Sequence, residues 1–92
     1  MIRISDTTLI HPSSLGPVEH RWQPKYHIEE SGWRRFERYQ WTIWFTVGGA
    51  KEPLYFHDAE AVDIYHQITG QSPPPMPTEP ARDLEPVRVI LA

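Results

Sequence analysis

The clearest pattern in the chain is an alternation of residue types between positions 35 and 47. One parity carries aromatic and β-branched residues: Tyr39, Trp41, Ile43, Phe45 and Val47. The other parity mixes polar, charged and aromatic residues: Arg34, Phe36, Arg38, Gln40, Thr42, Trp44 and Thr46. Because successive side chains of a strand point to opposite faces, this alternation predicts a β-strand with Trp41 facing a core.

Shorter extended segments flank this strand. The segment from Trp22 to Ile28 also alternates, and Pro24 has no N–H to donate to a ladder. It is therefore predicted to be an edge strand, or to begin after the proline. The same signals predict the other extended elements: a short strand at 2–4, a turn at 29–32, a hairpin turn at 48–52 and a returning strand at 53–56.

Helical spacing appears only after position 58. An apolar stripe is formed by Ala61, Ile64, Tyr65 and Ile68. Asp58 is a predicted N-cap, because its carboxylate can accept hydrogen bonds from the free amides of the first turn. Gly70 is predicted to end the helix in a left-handed conformation. The sequence thus predicts one sizeable helix, from Asp58 to Thr69.

The C-terminal part is rich in proline and then turns apolar. Six prolines lie within residues 72–86, which predicts an extended linker. The PxxP spacing within residues 73–80 allows an alternative, in which this segment is a ligand for an aromatic groove. Residues 87–92 are predicted to return to the sheet as a strand, paired with the 2–4 end or with a second copy in a homodimer. The expected organisation is a single domain with a core at 1–71, a linker at 72–86 and a strand at 87–92.

The predicted fold class is α+β: a small antiparallel sheet of three to five strands with one helix packed on one face. The chain has 92 residues and no cysteine, which excludes disulfides and thiolate metal sites. Its start does not resemble a signal peptide, and no apolar run is long enough to cross a bilayer. The expected location is the cytoplasm.

Histidines and carboxylates around the predicted helix are the main candidates for metal chemistry: His57, Asp58, Asp63 and His66. They match no metal-ligand motif, and surface histidines are common on ordinary helices. Nor does the sequence contain a nucleophile elbow or a phosphate-cradling loop. The expectation is a protein that is not an enzyme, with no catalytic residues, no metal site and no cofactor.

Charge is unevenly distributed along the chain. The net charge is −3, yet residues 21–51 carry +3 and residues 52–92 carry −5. A basic middle with aromatic residues is compatible with single-stranded nucleic-acid binding, whereas overall acidity argues against it. A strand whose arginines pair with nearby glutamates would give the same pattern with no binding role.

Arginine and aromatic residues of the long strand are the candidate partner-binding set: Arg34, Phe36, Arg38, Gln40 and Trp44. Such residues are enriched at protein–protein hot spots. We therefore expect a non-enzymatic protein-binding domain, such as a small inhibitor or adaptor that covers a surface of a larger protein. Small cysteine-free acidic domains are common among phage and mobile-element factors of that kind. The alternative is single-stranded nucleic-acid binding through the same face, and no membrane partner is expected.

Overall fold

A computed structural model describes residues 1–86 of the chain. Its elements, in chain order, are β1 (Ile2–Arg3), β2 (Leu9–Ile10), a 3₁₀ turn (Pro12–Ser14), β3 (Glu19–Ile28), β4 (Arg34–Phe45), β5 (Leu54–His57) and α1 (Asp58–Thr69). The predicted strand and dimer contact at 87–92 lie outside the described residues.

The main sheet is antiparallel, with the strand order β3-β4-β5. Among the described residues β3 pairs with β4 alone, so within residues 1–86 Pro24 sits in an edge strand, the first of the two predicted alternatives. β1 and β2 form a separate two-stranded sheet. With one helix packed on the main sheet, the α+β prediction is confirmed.

The core lies between α1 and one face of the sheet, here called the covered face. From the sheet come Trp41, Ile43 and Phe45, each 1% exposed. The helix contributes its predicted stripe, of which Ala61, Ile64 and Tyr65 are buried, and the small sheet contributes Ile2 and Ile10. Gly70 ends the helix with φ 72° and donates its N–H to the His66 carbonyl, as expected for a left-handed C-terminal residue.

The Gln67 side chain joins the small sheet to the helix. It accepts a hydrogen bond from the Arg3 N–H at 2.7 Å and donates one to the Arg3 carbonyl at 2.9 Å. An amide side chain can make both bonds because it carries a donor and an acceptor side by side. Gln67 thereby pairs with β1 much as a neighbouring strand would.

The start of α1 differs from the prediction. The N-cap position is occupied by His57, whose ring bonds to Thr42 Oγ1, and Asp58 is the first helical residue. The Asp58 carboxylate does not cap the helix but bonds to Arg38. Asp58 also has φ 54°, in the left-handed region, where aspartate is among the better tolerated side chains.

A β-bulge overturns the prediction that seven residues of the long strand share one face. Lys25 pairs with Arg38 and Tyr26 pairs with Phe36, so Glu37 is an extra residue on β4. One inserted residue reverses the alternation before it. Phe36 consequently contacts Tyr39, at a ring distance of 4.9 Å, and shares its face.

Residues 72–86, here called the strap, are not a free spacer. The segment has almost no regular secondary structure, as expected for its proline content, but it lies along β3 and β4 and hydrogen-bonds to both. The helix therefore covers one end of the covered face and the strap covers the other. The sequence predicts an extended linker here, and the hydrogen bonds to β3 and β4 add that this segment is docked on the sheet.

Truncation of Trp41 to alanine should destabilise the protein by about 3–5 kcal/mol, because a fully buried indole would be replaced by a cavity. For a domain of this size, that corresponds to a fall in melting temperature of more than about 10 °C. Thermal and urea unfolding of Trp41→Ala would measure it, with Val62→Ala on the exposed side of the helix as the control. A melting temperature within a degree of the parent would contradict the described packing.

Candidate functional site

The face of the main sheet opposite the helix, here called the open face, contains two cross-strand rows. Arg21, Thr42 and His57 are register partners in one row, and Glu19, Trp44 and Tyr55 are partners in the next. Thr42 is the buried centre of the first row, and its hydroxyl shares a hydrogen bond of 3.1 Å with His57 Nδ1. The two rows therefore place a hydrogen-bonded polar pair, Thr42 and His57, next to aromatic and charged side chains.

An aromatic and cationic cluster is formed by Trp44 and Tyr55 of the second row and Arg21 of the first. The rings of Trp44 and Tyr55 are stacked, with centroids 5.9 Å apart and planes at 22°. The Arg21 guanidinium lies 5.6 Å from the Trp44 ring centre, within cation–π range. Tyr55 is 57% exposed, so this cluster is presented at the surface although its members hold one another in place.

Arg38 and Asp58 form the main ion pair at the edge of this face. Both guanidinium Nη atoms donate to the Asp58 carboxylate at 3.1 Å, in a two-pronged arrangement. The hydrogen bonds from Arg38, with its positive charge, hold the pKa of Asp58 below its usual value. The same contact raises the pKa of Arg38. Arg38 is thus already engaged with a carboxylate of its own chain.

The structure separates the five residues predicted as one partner-binding set. Arg38, Gln40 and Trp44 lie on the open face, with Gln40 opposite Gln23 of β3. Phe36 is on the covered face, against Tyr26 and Tyr39. Arg34 is two residues before Phe36 on β4 and therefore lies on the same face. Its backbone N–H and C=O bond to Leu84 of the strap. Three members of the set are therefore grouped and two are not.

Sequence reasoning missed Arg21 and Tyr55 as members of the cluster. Both lie on neighbouring strands, so their proximity to Trp44 depends on the strand register. Tyr55 could have been found from the sequence, because the hairpin turn predicted at 48–52 restricts which residues of the returning strand can lie opposite Trp44. The partner on β3 could not be fixed in this way, since the turn near residue 32 and the bulge at Glu37 both affect its register.

The histidines considered for metal binding do not converge. Among residues 1–86, no group of three or more histidine, aspartate or glutamate side chains could hold a metal ion. His57 is bonded to Thr42, and Asp58 to Arg38. Asp63 instead accepts a hydrogen bond from Gln67 one helical turn later.

Comparison with family models, with curated proteins and with solved structures yields no match. Within the described part of the chain, α1 is far too short and too polar to cross a membrane, and so is every other helical segment.

Replacement of Asp58 by asparagine should lower the free energy of unfolding modestly, and only at pH values at which the Asp58 carboxylate is ionised. The folded-state pKa of Asp58 is below its ordinary value, so its pairing stabilises the fold above about pH 4 and is lost as pH falls through the lowered pKa. Parent and Asp58→Asn should differ by a few degrees in melting temperature near pH 6, because the pair is exposed, and converge near pH 2.

The matched control is Asp6→Asn, the same chemical change at an exposed loop position. Asparagine at position 58 tolerates the positive φ found there, so Asp58→Asn should not add backbone strain. A difference between parent and Asp58→Asn that persists unchanged in acid would show that the effect is not due to the carboxylate charge.

Proposed function

We propose that this protein is a non-enzymatic protein-binding domain that uses the open face of its sheet, around Trp44, Tyr55 and Arg21. The observation that supports this most directly is the stack of the half-buried Trp44 on the exposed Tyr55, with the Arg21 guanidinium over the Trp44 ring. Tryptophan, tyrosine and arginine are the residue types enriched at binding hot spots. Because the stack is already ordered, binding would cost little side-chain entropy.

A protein partner agrees better with the charges than a nucleic acid does. Arg38 is bonded to Asp58, and Arg35 is bonded to Glu29 and Asp83. Two of the six basic residues between positions 21 and 51 are therefore already paired with carboxylates. Phosphate-driven binding needs cations that are available for several phosphates, and overall acidity opposes it.

The inferred role is that of a small inhibitor or adaptor, which acts by covering a surface of a larger protein. The open face is a three-stranded surface with a stacked aromatic pair near one end of β3 and β4, a geometry that suits a matching apolar patch on the partner. Arg21 and Lys25 would favour a partner with acidic groups at the rim of that patch. A cytoplasmic location stays a prediction.

The test is affinity capture from a lysate of the cells that make the protein, followed by direct binding of each purified candidate. Tyr55→Ala and the double variant Trp44→Ala with Tyr55→Ala should bind the true partner about 30-fold more weakly or worse, since each hot-spot side chain contributes about 2 kcal/mol. Val62→Ala, a truncation of an exposed apolar residue away from this face, is the matched control. Melting temperatures establish that each variant is folded.

Equal binding of the parent and Tyr55→Ala by every purified candidate would refute the proposed surface. Nucleic acid is tested in parallel with an oligothymidine at two salt concentrations. Tight binding that weakens steeply with salt and is lost in the double variant would favour the alternative function instead.

A further inference from the structure

The strap is held on the covered face by side-chain donors of the sheet. Trp22 Nε1 donates to the Pro74 carbonyl at 2.8 Å, and Tyr39 Oη donates to the Glu79 carbonyl at 2.7 Å. Tyr26 Oη makes a longer bond, of 3.3 Å, to the Arg82 carbonyl. Three aromatic side chains from two strands thus reach three main-chain carbonyls spread over nine residues.

The C-terminal part of the strap is fixed in a different way. Asp83 Oδ1 accepts the Phe36 backbone N–H at 2.8 Å, and its other oxygen lies 3.5 Å from Arg35 Nη1. Leu84 exchanges two backbone hydrogen bonds with Arg34, of 2.8 and 2.9 Å, as a one-residue strand addition. The acidic side chain and the short ladder define the direction and register of the strap.

Gly32 provides room for the end of the strap. A Cβ atom at this position would lie 3.1 Å from the Pro86 Cβ, and the φ of Gly32 is +88°. The turn before β4 is therefore shaped so that Pro86 can approach its backbone closely.

The contacts on the covered face match the chemistry of an extended proline-rich peptide. Proline has a carbonyl acceptor but no N–H, so a proline-rich backbone needs donors from its surroundings and offers few in return. Indole N–H and phenol O–H groups on an aromatic surface are donors of that kind, and aromatic grooves commonly bind proline-rich segments. Proline also lowers the entropy cost of ordering an extended chain.

The strap does not fill the groove completely. A pocket of about 250 Å³ that is open to solvent lies beside the strap and is lined by Phe36, Tyr39, Met76 and Pro80, among others. Met76 is 53% exposed, and the connection through Gln71 and Ser72 is exposed as well. The resident segment therefore leaves space that a better-fitting ligand could fill, and the chain next to the helix end is accessible.

We propose that the groove formed by Trp22, Tyr26, Phe36 and Tyr39 is a binding site for an extended proline-rich peptide with an acidic residue near its C-terminal end. The strap is its resident ligand, and the same groove accepts such a peptide from a protein partner when the strap leaves. The site is on the opposite face from Trp44 and Tyr55, so it does not depend on the function proposed for the open face.

The experiment uses the full chain with a protease recognition site inserted between Gln71 and Ser72. The chain is folded first and then cut, which turns strap binding into a bimolecular equilibrium. A fluorescent peptide copying residues 72–86 should then bind the cut protein in anisotropy titrations. It should bind the uncut protein about 100-fold more weakly, because the tethered strap competes at an effective concentration near the millimolar range.

Matched variants distinguish specific recognition of the peptide from non-specific binding. Tyr39→Phe in the cut protein keeps the ring but removes one donor and should weaken peptide binding about 5-fold. Tyr55→Phe is the same chemical change on the open face and should have no effect. A peptide in which the residue corresponding to Asp83 is asparagine should also bind more weakly, since it loses charge-assisted contacts.

Three results would overturn the inference. The cut protein could unfold, as followed by circular dichroism, or it could keep its own strap without exchange at millimolar peptide. Either outcome would make the segment a fixed part of the fold. Equal affinity of the peptide for the parent, Tyr39→Phe and Tyr55→Phe would show that the groove does not recognise it through the described donor.

Discussion

The packing of Trp41 is the interaction on which both halves of the molecule depend. Its ring lies 5.2 Å from that of Tyr65 on the helix and 5.3 Å from that of Trp22 on β3, while Trp22 in turn holds the strap. The Trp41 N–H finds no hydrogen-bond partner within residues 1–86, so apolar and aromatic contacts must offset the cost of burying it. Helix, sheet and strap are therefore coupled through one indole.

The bulge at Glu37 decides which chemistry appears on each face. It returns Phe36 to the side of Tyr39 and Tyr26, where the three rings form the floor under the strap. With unbroken alternation, Phe36 would stand on the open face beside Arg38. A single extra residue thus converts one mixed surface into two, an aromatic groove lined with donors and a polar face with one aromatic cluster.

Elements with strong local signals were predictable from the sequence, whereas contacts between distant segments were not. The helix from Asp58 to Thr69 and the buried side of β4 follow from periodicity, and both predictions are confirmed. The role of Asp58 could not be inferred, because its partner Arg38 is twenty residues away and either a cap or an ion pair satisfies a carboxylate. The docking of the strap on the sheet could not be predicted either, because proline content predicts an extended segment but not the surface that the segment covers.

The uneven distribution of charge along the chain is explained in part by two ion pairs between distant segments. The basic stretch at 21–51 and the acidic stretch at 52–92 meet through Arg38 with Asp58 and through Arg35 with Asp83. Each pair is exposed and contributes little stability by itself, but each helps to fix where a later segment lies on β4. The basic middle thus serves in part as an internal docking surface for the acidic end. This internal pairing reduces the charge available for phosphates, which is an argument for the proposed protein partner over a nucleic acid.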